Sequence, residues 1–362
     1  MKTKVAFMNS HEGWGGGEKW HFEAACYFYS IGYDVTFICR HGSVLHKKLL
    51  DKEIFCQFIK VTNLSFLNPY KLFLLNSLLK KASVLLVNSP ADNKLAGVST
   101  LFNKKLKIVL RRGMPHPIKP SVLNRWLFRT RINHVIANSE TVKESLNSRS
   151  DSLIPKDNIS IIYNGFDIEA YNKKSVEPLQ FLNETAPVLV SCGRLVEQKN
   201  HMLLLRAAKI LKDKGENFQL IIVGEGALHE ELESYISKHR LNDVCVLSGF
   251  MENIKDILNC ASLFLLPSFY EGSSNALIEA CGVGLPAIVS NIASNSEIVD
   301  DGVNGFLLPI DKPEKWADKI SELLSDQKKL SAFGVNSKDK MMSDFSILVN
   351  RKKLKKLVDS LN

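Results

Sequence analysis

The sequence predicts an α/β protein built from two doubly wound parallel sheets, and three observations support this fold class. Short apolar segments alternate with helical segments along nearly the whole chain, which is typical of β-α-β units. The alternation stops once, at the polar stretch 169–186, and then begins again. The chain has 362 residues, of which 45% are hydrophobic, and this is enough for two domains.

The individual elements follow from this alternation. In the first half, strands are expected at 4–9, 34–39, 83–88, 107–111, 134–138 and 159–167, and helices near 18–30, 69–81, 91–103, 120–131 and 140–148. In the second half, strands are expected at 187–192, 218–224, 244–249, 262–267 and 286–290, and helices near 200–213, 227–239, 253–260, 274–283 and 346–361. Ligands of parallel sheets bind beyond the carboxyl ends of the strands, so a ligand is expected there, between the two sheets.

Charge is distributed unevenly between the two halves. Residues 1–150 contain 23 Lys or Arg and 9 Asp or Glu, which gives 23 − 9 = +14. The whole chain has a net charge of +9, so residues 151–362 carry 9 − 14 = −5. A basic half joined to a mildly acidic half predicts that the first half meets an anionic partner. Nucleic acid, a phospholipid surface and a phosphorylated substrate all fit this pattern.

Several features predict a cytoplasmic protein. The N-terminal MKTKVAFMN lacks the long apolar core of a signal peptide, and no run approaches the roughly 20 apolar residues of a membrane span. The seven cysteines are scattered without a C-x-x-C pair, as expected of reduced core thiols. No cluster of metal-ligating residues is visible, so no metal is expected.

The stretch SCGRLVEQKN (191–200) directly follows a predicted strand. Arg194 and Lys199 lie five positions apart in the loop that leads into the next helix. Arg can grip a phosphate with its planar fork and Lys can bind one as a point charge, so the two are candidates for a diphosphate clamp. Two solvated surface cations are the alternative.

The stretch GWGGGEKW (13–20) connects the first strand to the first helix. Its glycines, among them Gly16 and Gly17, allow backbone N–H groups to approach an anion at a helix N-terminus. The stretch matches neither the dinucleotide-binding G-x-G-x-x-G nor a P-loop. A plain flexible turn is the alternative.

The stretch SFYEGSSNALIEACGVGLP (268–286) places two carboxylates, Glu271 and Glu279, around a helix start. Ser273 or Ser274 is expected to cap this helix, so that the N–H groups of Ser273, Ser274 and Asn275 face a ligand oxygen. A carboxylate near a helix N-terminus also complements the helix dipole, which accounts for Glu271. It accounts poorly for Glu279, whose neighbours are apolar, because a buried carboxylate needs partners such as sugar hydroxyls.

The order of these motifs resembles that of the retaining glycosyltransferases of the GT-B fold, specifically the large family 4. In that family G-R-x4-K precedes a P-S dipeptide and E-x7-E, as it does here. Five further stretches match the family in the same order: VIANSETVKESL (135–146), IIYNGFD (161–167), IVGEG (222–226), LSGF (247–250) and SEIVDDGVNGFLL (296–308). The resemblance covers nearly the whole chain and implies two Rossmann-like domains that face each other across a cleft.

The resemblance implies a catalytic group formed by Glu271, Arg194 and Lys199, with a nucleotide-diphosphate sugar as the donor and co-substrate. Arg194 and Lys199 would bind the donor diphosphate. Glu271 would hold hydroxyls of the transferred sugar, and Glu279 would accept hydrogen bonds from the ribose.

The remaining donor contacts implied by the resemblance come from backbone and loop residues. Backbone amides of Gly16, Gly17 and the 273–275 turn would assist the diphosphate clamp. Gly224 and Phe250, within the stretches 224–226 and 249–251, would line the pocket of the nucleotide base.

The sequence departs from the family after the strand 107–111. The family commonly has a histidine near the sugar at this point, whereas this chain has RRGMPHP (111–117). Arg111 and Arg112 are therefore candidates for contacts with an anionic acceptor. His116 either replaces the family histidine or is an exposed loop residue.

The resemblance also implies how the chain is divided. Residues 1–168 would form an acceptor-binding domain and residues 187–345 a nucleotide-sugar-binding domain, with 169–186 as the linker. The final helix, 346–362, would pack back on the first domain.

The implied activity is retaining transfer of a hexose-type sugar to a hydroxyl of a glycan or lipid-linked acceptor, in cell-envelope polysaccharide or lipopolysaccharide synthesis. No cofactor beyond the donor and no nucleic acid partner are expected. The alternative is a basic α/β protein that binds nucleic acid or an anionic surface without transferase activity, but this leaves the carboxylates and the clamp unexplained.

The segment LSFLNPYKLFLLNSLLKK (64–81) bears on localisation. It predicts either a helix whose apolar face meets an anionic bilayer, or an ordinary core helix packed on the sheet. The excess of basic residues favours peripheral contact with the inner face of the cytoplasmic membrane.

Overall fold

The computed structural model describes residues 4–149, 153–173 and 186–362, and its contacts divide the chain into two compact units. Unit 1 comprises Met1–Asn164 and Asn350–Asn362, and unit 2 comprises Gly165–Val349. The predicted linker 169–186 overlaps a short helix at its start, and its residues 174–185 lie outside the described residues.

The division falls four residues before the predicted boundary at 168 because the chain pairs with itself there. The Phe166 N–H donates to the Phe345 carbonyl over 2.8 Å, and the Ile347 N–H donates to the Phe166 carbonyl over 3.0 Å. A Cβ on Gly165 would come within 2.5 Å of the Ile347 Cα, so only glycine permits this approach. These contacts fix Gly165 and Phe166 within unit 2.

Unit 1 contains, among its described residues, a seven-stranded parallel sheet with strand order 3-2-1-4-5-6-7. Its strands are β1 (Lys4–Asn9), β2 (Asp34–Cys39), β3 (Cys56–Phe58), β4 (Val84–Val87), β5 (Lys107–Arg112), β6 (Ile132–Ala137) and β7 (Ile159–Ile161). β3 was not predicted, because three residues, two half-buried and one exposed, are too few to give a periodic signal. β7 is shorter than the predicted strand 159–167, since the chain leaves the sheet after Ile161.

Helices cover both faces of this sheet. They are α1 (Gly16–Ser30), α2 (Val44–Leu50), α3 (Pro69–Leu78), α4 (Pro90–Ser99), α5 (Val122–Thr130) and α6 (Glu140–Leu146). One face buries a core that includes Leu75 of α3 and Leu95 of α4. The other face buries Phe28 of α1 together with Leu354 and Val358 of the final helix.

Unit 2 contains, within the described part of the chain, a six-stranded parallel sheet with strand order 10-9-8-11-12-13. Its strands are β8 (Val188–Cys192), β9 (Gln219–Val223), β10 (Cys245–Gly249), β11 (Leu263–Leu266), β12 (Ala287–Ser290) and β13 (Gly305–Leu308). The helices that follow unit 1 along the chain are α7 (Ile168–Lys173), α8 (His201–Asp213), α9 (His229–Lys238), α10 (Lys255–Cys260), α11 (Asn275–Gly282), α12 (Ala293–Ser296), α13 (Pro313–Ser325), α14 (Gln327–Asp344) and α15 (Ile347–Leu361).

Each sheet reverses its strand order at one place, between β1 and β4 in unit 1 and between β8 and β11 in unit 2. Val5 of β1 lies opposite Val84 of β4, and Leu189 of β8 lies opposite Leu263 of β11. The predicted class of two doubly wound parallel sheets is therefore confirmed. Such reversals open a crevice at the carboxyl ends of the two strands, where doubly wound proteins bind their ligands.

Candidate active site

In unit 2, the loops after β8 and β11 flank this reversal and are joined by hydrogen bonds. The Phe269 N–H donates to the Gln198 carbonyl over 2.9 Å, and the Gln198 side-chain amide donates to the Tyr270 carbonyl over 2.8 Å. The Asn200 side-chain amide donates to the Pro267 carbonyl over 3.3 Å. The two stretches that the sequence singled out therefore form one structural element.

Lys199 and Glu271 meet in this element as an ion pair. The Lys199 Nζ lies 2.5 Å from the Glu271 Oε1, and their side chains are only 14% and 7% exposed. The Ser268 Oγ donates to the same carboxylate oxygen over 2.7 Å. The predicted diphosphate-binding cation and the predicted sugar-binding carboxylate thus neutralise each other, a contact that the sequence did not indicate.

Arg194 differs from Lys199 because it is exposed. Its guanidinium forms no hydrogen bond or ion pair with the residues that the structure describes. Arg194 precedes Leu195, whose N–H donates to the Glu225 carbonyl over 2.9 Å. The backbone beside the side chain is therefore fixed while the cationic fork remains available to an anion.

The start of α11 supplies the second carboxylate of the E-x7-E pattern. Ser274 caps the helix by accepting a hydrogen bond from the Leu277 N–H, whereas the buried Ser273 Oγ has no partner among the described residues. Glu279 is half-buried, and its charge adds to the effect of burial in raising the pKa of the Cys192 thiol. Glu279 therefore lies close enough to Cys192, the last residue of β8, for its charge to act on the thiol.

The predicted base-contacting residues adjoin the same loop. Gly224 follows β9 with a φ of 143°, and a Cβ there would lie 2.0 Å from the Gly193 carbonyl oxygen, so only glycine fits. The Gly224 N–H donates to the Gly249 carbonyl over 2.8 Å. Phe250, which follows Gly249, is exposed. The loops after three neighbouring strands are thereby brought together.

His201 is a neighbour of the site that was not predicted from the sequence. It begins α8 directly behind the Lys199 loop, is fully buried, and its Nδ1 lies 3.4 Å from the Ser191 Oγ. Burial, followed by the charge of Lys199, lowers the pKa of His201 to about 4, so the ring is neutral near pH 7. The signal available in the sequence was a histidine two residues after Lys199.

In unit 1, the glycine-rich stretch forms the first turn of α1. The helix begins at Gly16, two residues earlier than predicted, and its N-cap Gly15 makes no side-chain capping hydrogen bond. A Cβ on Gly17 would lie 2.5 Å from the Asn88 Nδ2, so this turn packs closely on the residue that follows β4. Gly16 and Gly17 therefore lie at the strand reversal of unit 1.

Arg111 lies nearby, at the end of β5, and is only 4% exposed. Its Nη2 donates to the Asn164 Oδ1 over 3.0 Å, its Nη1 donates to the Asn88 Oδ1 over 3.4 Å, and its guanidinium lies 5.1 Å from the Trp20 ring centroid. Its Nε has no partner, and no carboxylate of the described residues forms an ion pair with it. Burial lowers the pKa of Arg111 to about 10, so it stays charged at neutral pH.

Arg112 and His116 occupy the loop that follows. The half-buried Arg112 donates from Nη2 to the His116 carbonyl over 2.8 Å, and burial lowers the pKa of Arg112. The His116 side chain is exposed. Arg111 therefore takes the buried position at the strand end, and replacement of the family histidine by His116 stays a prediction.

The described residues also bear on metal ions and membranes. Among them, no group of three or more His, Cys, Asp or Glu side chains is arranged to hold a metal ion. None of the described helices is both long enough and apolar enough to cross a bilayer. Independence from metal stays a prediction.

Two doubly wound parallel sheets, one of which brings Lys199 and Glu271 together at its strand reversal, are the architecture expected of GT-B proteins. Comparison with models of protein families identifies the family. "Glycosyltransferase Family 4" matches residues 14–170 and "Glycosyl transferases group 1" matches residues 172–340. The chain belongs to the family 4 glycosyltransferases, as its motif order predicted.

Curated relatives carry related names. The chain is 32% identical over 207 residues to the UDP-Gal:alpha-D-GlcNAc-diphosphoundecaprenol alpha-1,3-galactosyltransferase of Escherichia coli, covering 55% of this chain and 53% of that protein. It is 26% identical over 276 residues to a diphospho-undecaprenol 4-alpha-N-acetylgalactosaminyltransferase of Campylobacter jejuni, covering 74% and 73%. The match spans about half the length of the first relative.

Solved structures share the whole fold. A glycosyltransferase of Rickettsia africae aligns with a TM-score of 0.87 at 18% identity, covering 99% of this chain and 98% of that one. The Anabaena protein HepE in complex with UDP aligns with a TM-score of 0.84 at 18% identity, covering 99% and 100%. At such identities the likeness establishes the GT-B fold alone.

Proposed function

We propose that this protein is a retaining glycosyltransferase that moves a hexose-type sugar from a nucleotide-diphosphate sugar to a hydroxyl of a lipid-linked glycan acceptor. Its place would be the synthesis of cell-envelope polysaccharide or lipopolysaccharide. The observation that carries the proposal is the Lys199–Glu271 ion pair at the strand reversal of unit 2, in a loop that also presents the exposed Arg194. The names of the curated relatives support a lipid diphosphate as the carrier of the acceptor.

The donor step follows from the charges of this cluster. As the bond from the anomeric carbon to the diphosphate oxygen breaks, negative charge develops on the diphosphate. Lys199, Arg194 and the N-terminus of α11 would stabilise that charge without reorganisation, because the hydrogen bonds between the two loops already fix their positions. Gly224 and Phe250 would receive the nucleotide base, and Glu279 the ribose.

The acceptor hydroxyl would enter on the face that the diphosphate leaves. Its oxygen bonds to the anomeric carbon, and its proton passes to a diphosphate oxygen, so the configuration is retained and no side-chain nucleophile is needed. Glu271 would accept hydrogen bonds from hydroxyls of the transferred sugar and so orient it.

The Lys199–Glu271 ion pair gives the donor site a stable ligand-free state. A nearly buried ammonium without a counter-ion would cost several kcal/mol. Glu271 supplies that counter-ion until the diphosphate takes its place at Lys199. The carboxylate is then released to bind the sugar, so diphosphate binding and sugar binding are coupled through one side chain.

Arg111 is the candidate for the acceptor side. It is a buried, charged guanidinium whose only hydrogen-bond partners among the described residues are two side-chain amide oxygens, with an unsatisfied Nε. Such a group is well suited to bind an external anion. We assign it, with Arg112, to a phosphate of the acceptor carrier.

The test is a turnover screen of UDP-, GDP- and ADP-sugars with a short-chain polyprenyl-diphosphate-linked sugar as acceptor. Mass analysis detects the product, and NMR of the new linkage gives its anomeric configuration. The proposal predicts transfer from at least one donor with retention. Inversion would contradict the mechanism, and the absence of transfer from every donor would contradict the proposed function.

A further inference from the structure

We propose that unit 1 docks on an anionic phospholipid surface through a stripe of exposed apolar side chains before and within α3. The stripe consists of Leu64, Leu67, Tyr70 and Phe73, which are 65% to 72% exposed. The inference rests on the proposed function only in choosing a lipid as the partner, since a lipid-linked acceptor would be met at a membrane.

The spacing of the stripe gives it one continuous direction. Leu64 caps the 3₁₀ turn Ser65–Leu67 and Leu67 ends it, and residues three apart in such a turn are eclipsed. Tyr70 and Phe73 lie three apart on α3 and so share one face of that helix. The turn contacts α3, so the two exposed pairs lie near one another.

The opposite face of α3 is committed to the core. Leu75 and Leu79 are fully buried with Leu95 of α4. The sequence offered two alternatives for this segment, a core helix and a membrane-facing helix. The structure buries one side of the helix in the core and leaves Tyr70 and Phe73 exposed on the other. The stripe is therefore not required for packing on the sheet.

The charge of the segment that carries the stripe favours an anionic partner. Residues 54–139 contain fourteen Lys or Arg and one acidic residue, Asp92, which is fully buried and accepts a hydrogen bond from the Ser10 Oγ. The surface contributed by this segment therefore carries no exposed carboxylate. The Lys71 Nζ donates to the Lys60 carbonyl and to the Ser65 Oγ, which holds its ammonium beside the 3₁₀ turn.

A bilayer satisfies both properties at once. Apolar side chains can enter the boundary between headgroups and acyl chains while the lysines stay with the phosphates. A nucleic acid would satisfy the lysines but leave two leucines and a phenylalanine in water. The stripe also begins in the connection after β3, so it lies towards the carboxyl edge of the sheet, the edge that carries Arg111 and Arg112.

The test measures co-sedimentation of the full chain with vesicles of phosphatidylcholine alone and with added phosphatidylglycerol. Binding is expected only to the anionic vesicles. The triple variant Leu64→Ser, Leu67→Ser, Phe73→Ser is expected to bind at least about tenfold more weakly. The double variant Lys60→Gln, Lys71→Gln should also lose about tenfold, and this loss should shrink in about 1 M salt.

Phe102→Ser is the matched control. Phe102 is 98% exposed in the same unit, but it follows α4 and precedes β5, at the opposite edge of the sheet. The control should bind vesicles as the wild type does. An equal loss in the control and the triple variant, unchanged binding by the triple variant, or no binding by the wild type would each overturn the inference.

Two further readouts separate this inference from the proposed function. UDP affinity measured by calorimetry should be the same in the wild type and the triple variant, which also shows that the variant is folded. Vesicle binding without any sugar transfer would contradict the proposed function and leave the docking surface standing. Tight binding of DNA that the lysine variant loses and the triple variant keeps would contradict the docking surface.

Discussion

Unit 1 and unit 2 each place a nearly buried cation at the carboxyl end of a parallel strand, but they neutralise it differently. In unit 2, Lys199 has a carboxylate partner, Glu271, at 2.5 Å. In unit 1, the hydrogen bonds of Arg111 go to the side-chain amide oxygens of Asn88 and Asn164, and no described carboxylate pairs with it. The two sites therefore differ in where the opposing negative charge comes from.

This difference indicates which kind of ligand each buried cation is proposed to bind. A buried cation with a counter-ion in the protein can exchange that counter-ion for an anionic ligand. The cation is then never left unpaired in an apolar environment. Arg111 forms no ion pair with the described residues, and the charge of the buried Glu18 only partly offsets the effect of burial on the pKa of Arg111. We propose that an external anion supplies the ion-pair partner of this cation. Under the proposed function, Lys199 would exchange Glu271 for the donor diphosphate, whereas Arg111 would gain its ion-pair partner from the acceptor.

The largest effect should come from removing the unit 2 cations. Lys199→Ala or Arg194→Ala is expected to lower kcat/KM by a factor of about 100 or more, on the order of 3 kcal/mol of transition-state stabilisation. Lys209→Ala is the matched control, because Lys209 lies on α8 in an exposed ion pair with Asp213. Near-normal transfer by both variants would show that Arg194 and Lys199 do not form a diphosphate clamp.

Replacing Gly224 of unit 2 by alanine should lower the free energy of unfolding more than replacing Gly17 of unit 1. Gly224→Ala is expected to lower the free energy of unfolding by about 3 kcal/mol, because its Cβ would meet the Gly193 carbonyl oxygen, a fixed backbone atom, at 2.0 Å. Gly17→Ala should cost only about 1 kcal/mol, because its Cβ meets the movable side-chain amide of Asn88. Urea denaturation measures both, and equal losses would show that the β8 and β9 loops are less rigid than proposed.

Arg111→Met should separate stability from function in unit 1. Replacing a buried cation that forms no ion pair by an apolar side chain of similar length is expected to raise the free energy of unfolding by about 1 kcal/mol. Transfer to a diphosphate-linked acceptor should fall at least about tenfold, whereas UDP affinity should not change. A less stable variant with normal transfer would mean that Arg111 serves the fold rather than an acceptor.

The alternation of apolar and helical segments was sufficient to predict the two sheets and most of their helices, because period-2 and period-3.6 patterns are local. It missed β3 and β13, whose three and four residues are too short to show a period. The motif order gave Arg194, Lys199, Glu271 and Glu279 as one functional group. Nothing local predicted which of them would touch.

Two properties of the site could not be predicted from the sequence. The contact between Lys199 and Glu271 joins residues 72 positions apart, and only the neighbouring positions of β8 and β11 in the sheet bring their loops together. In the sequence, Arg111 stands in a basic segment and cannot be distinguished from a surface arginine. Arg111 is buried because Trp20, Asn88 and Asn164, which lie far apart in the sequence, pack around it.

Calorimetric titration of UDP into the wild type, Glu271→Gln and Lys199→Ala tests the central claim most directly. If Glu271 is the resting counter-ion of Lys199, its charge competes with the diphosphate, so Glu271→Gln should bind bare UDP about fivefold more tightly, roughly 1 kcal/mol, while its sugar transfer falls. Lys199→Ala should bind UDP at least about tenfold more weakly than the wild type. Equal UDP affinity in all three proteins, or an equal loss in both variants, would contradict the exchange of Glu271 for the diphosphate.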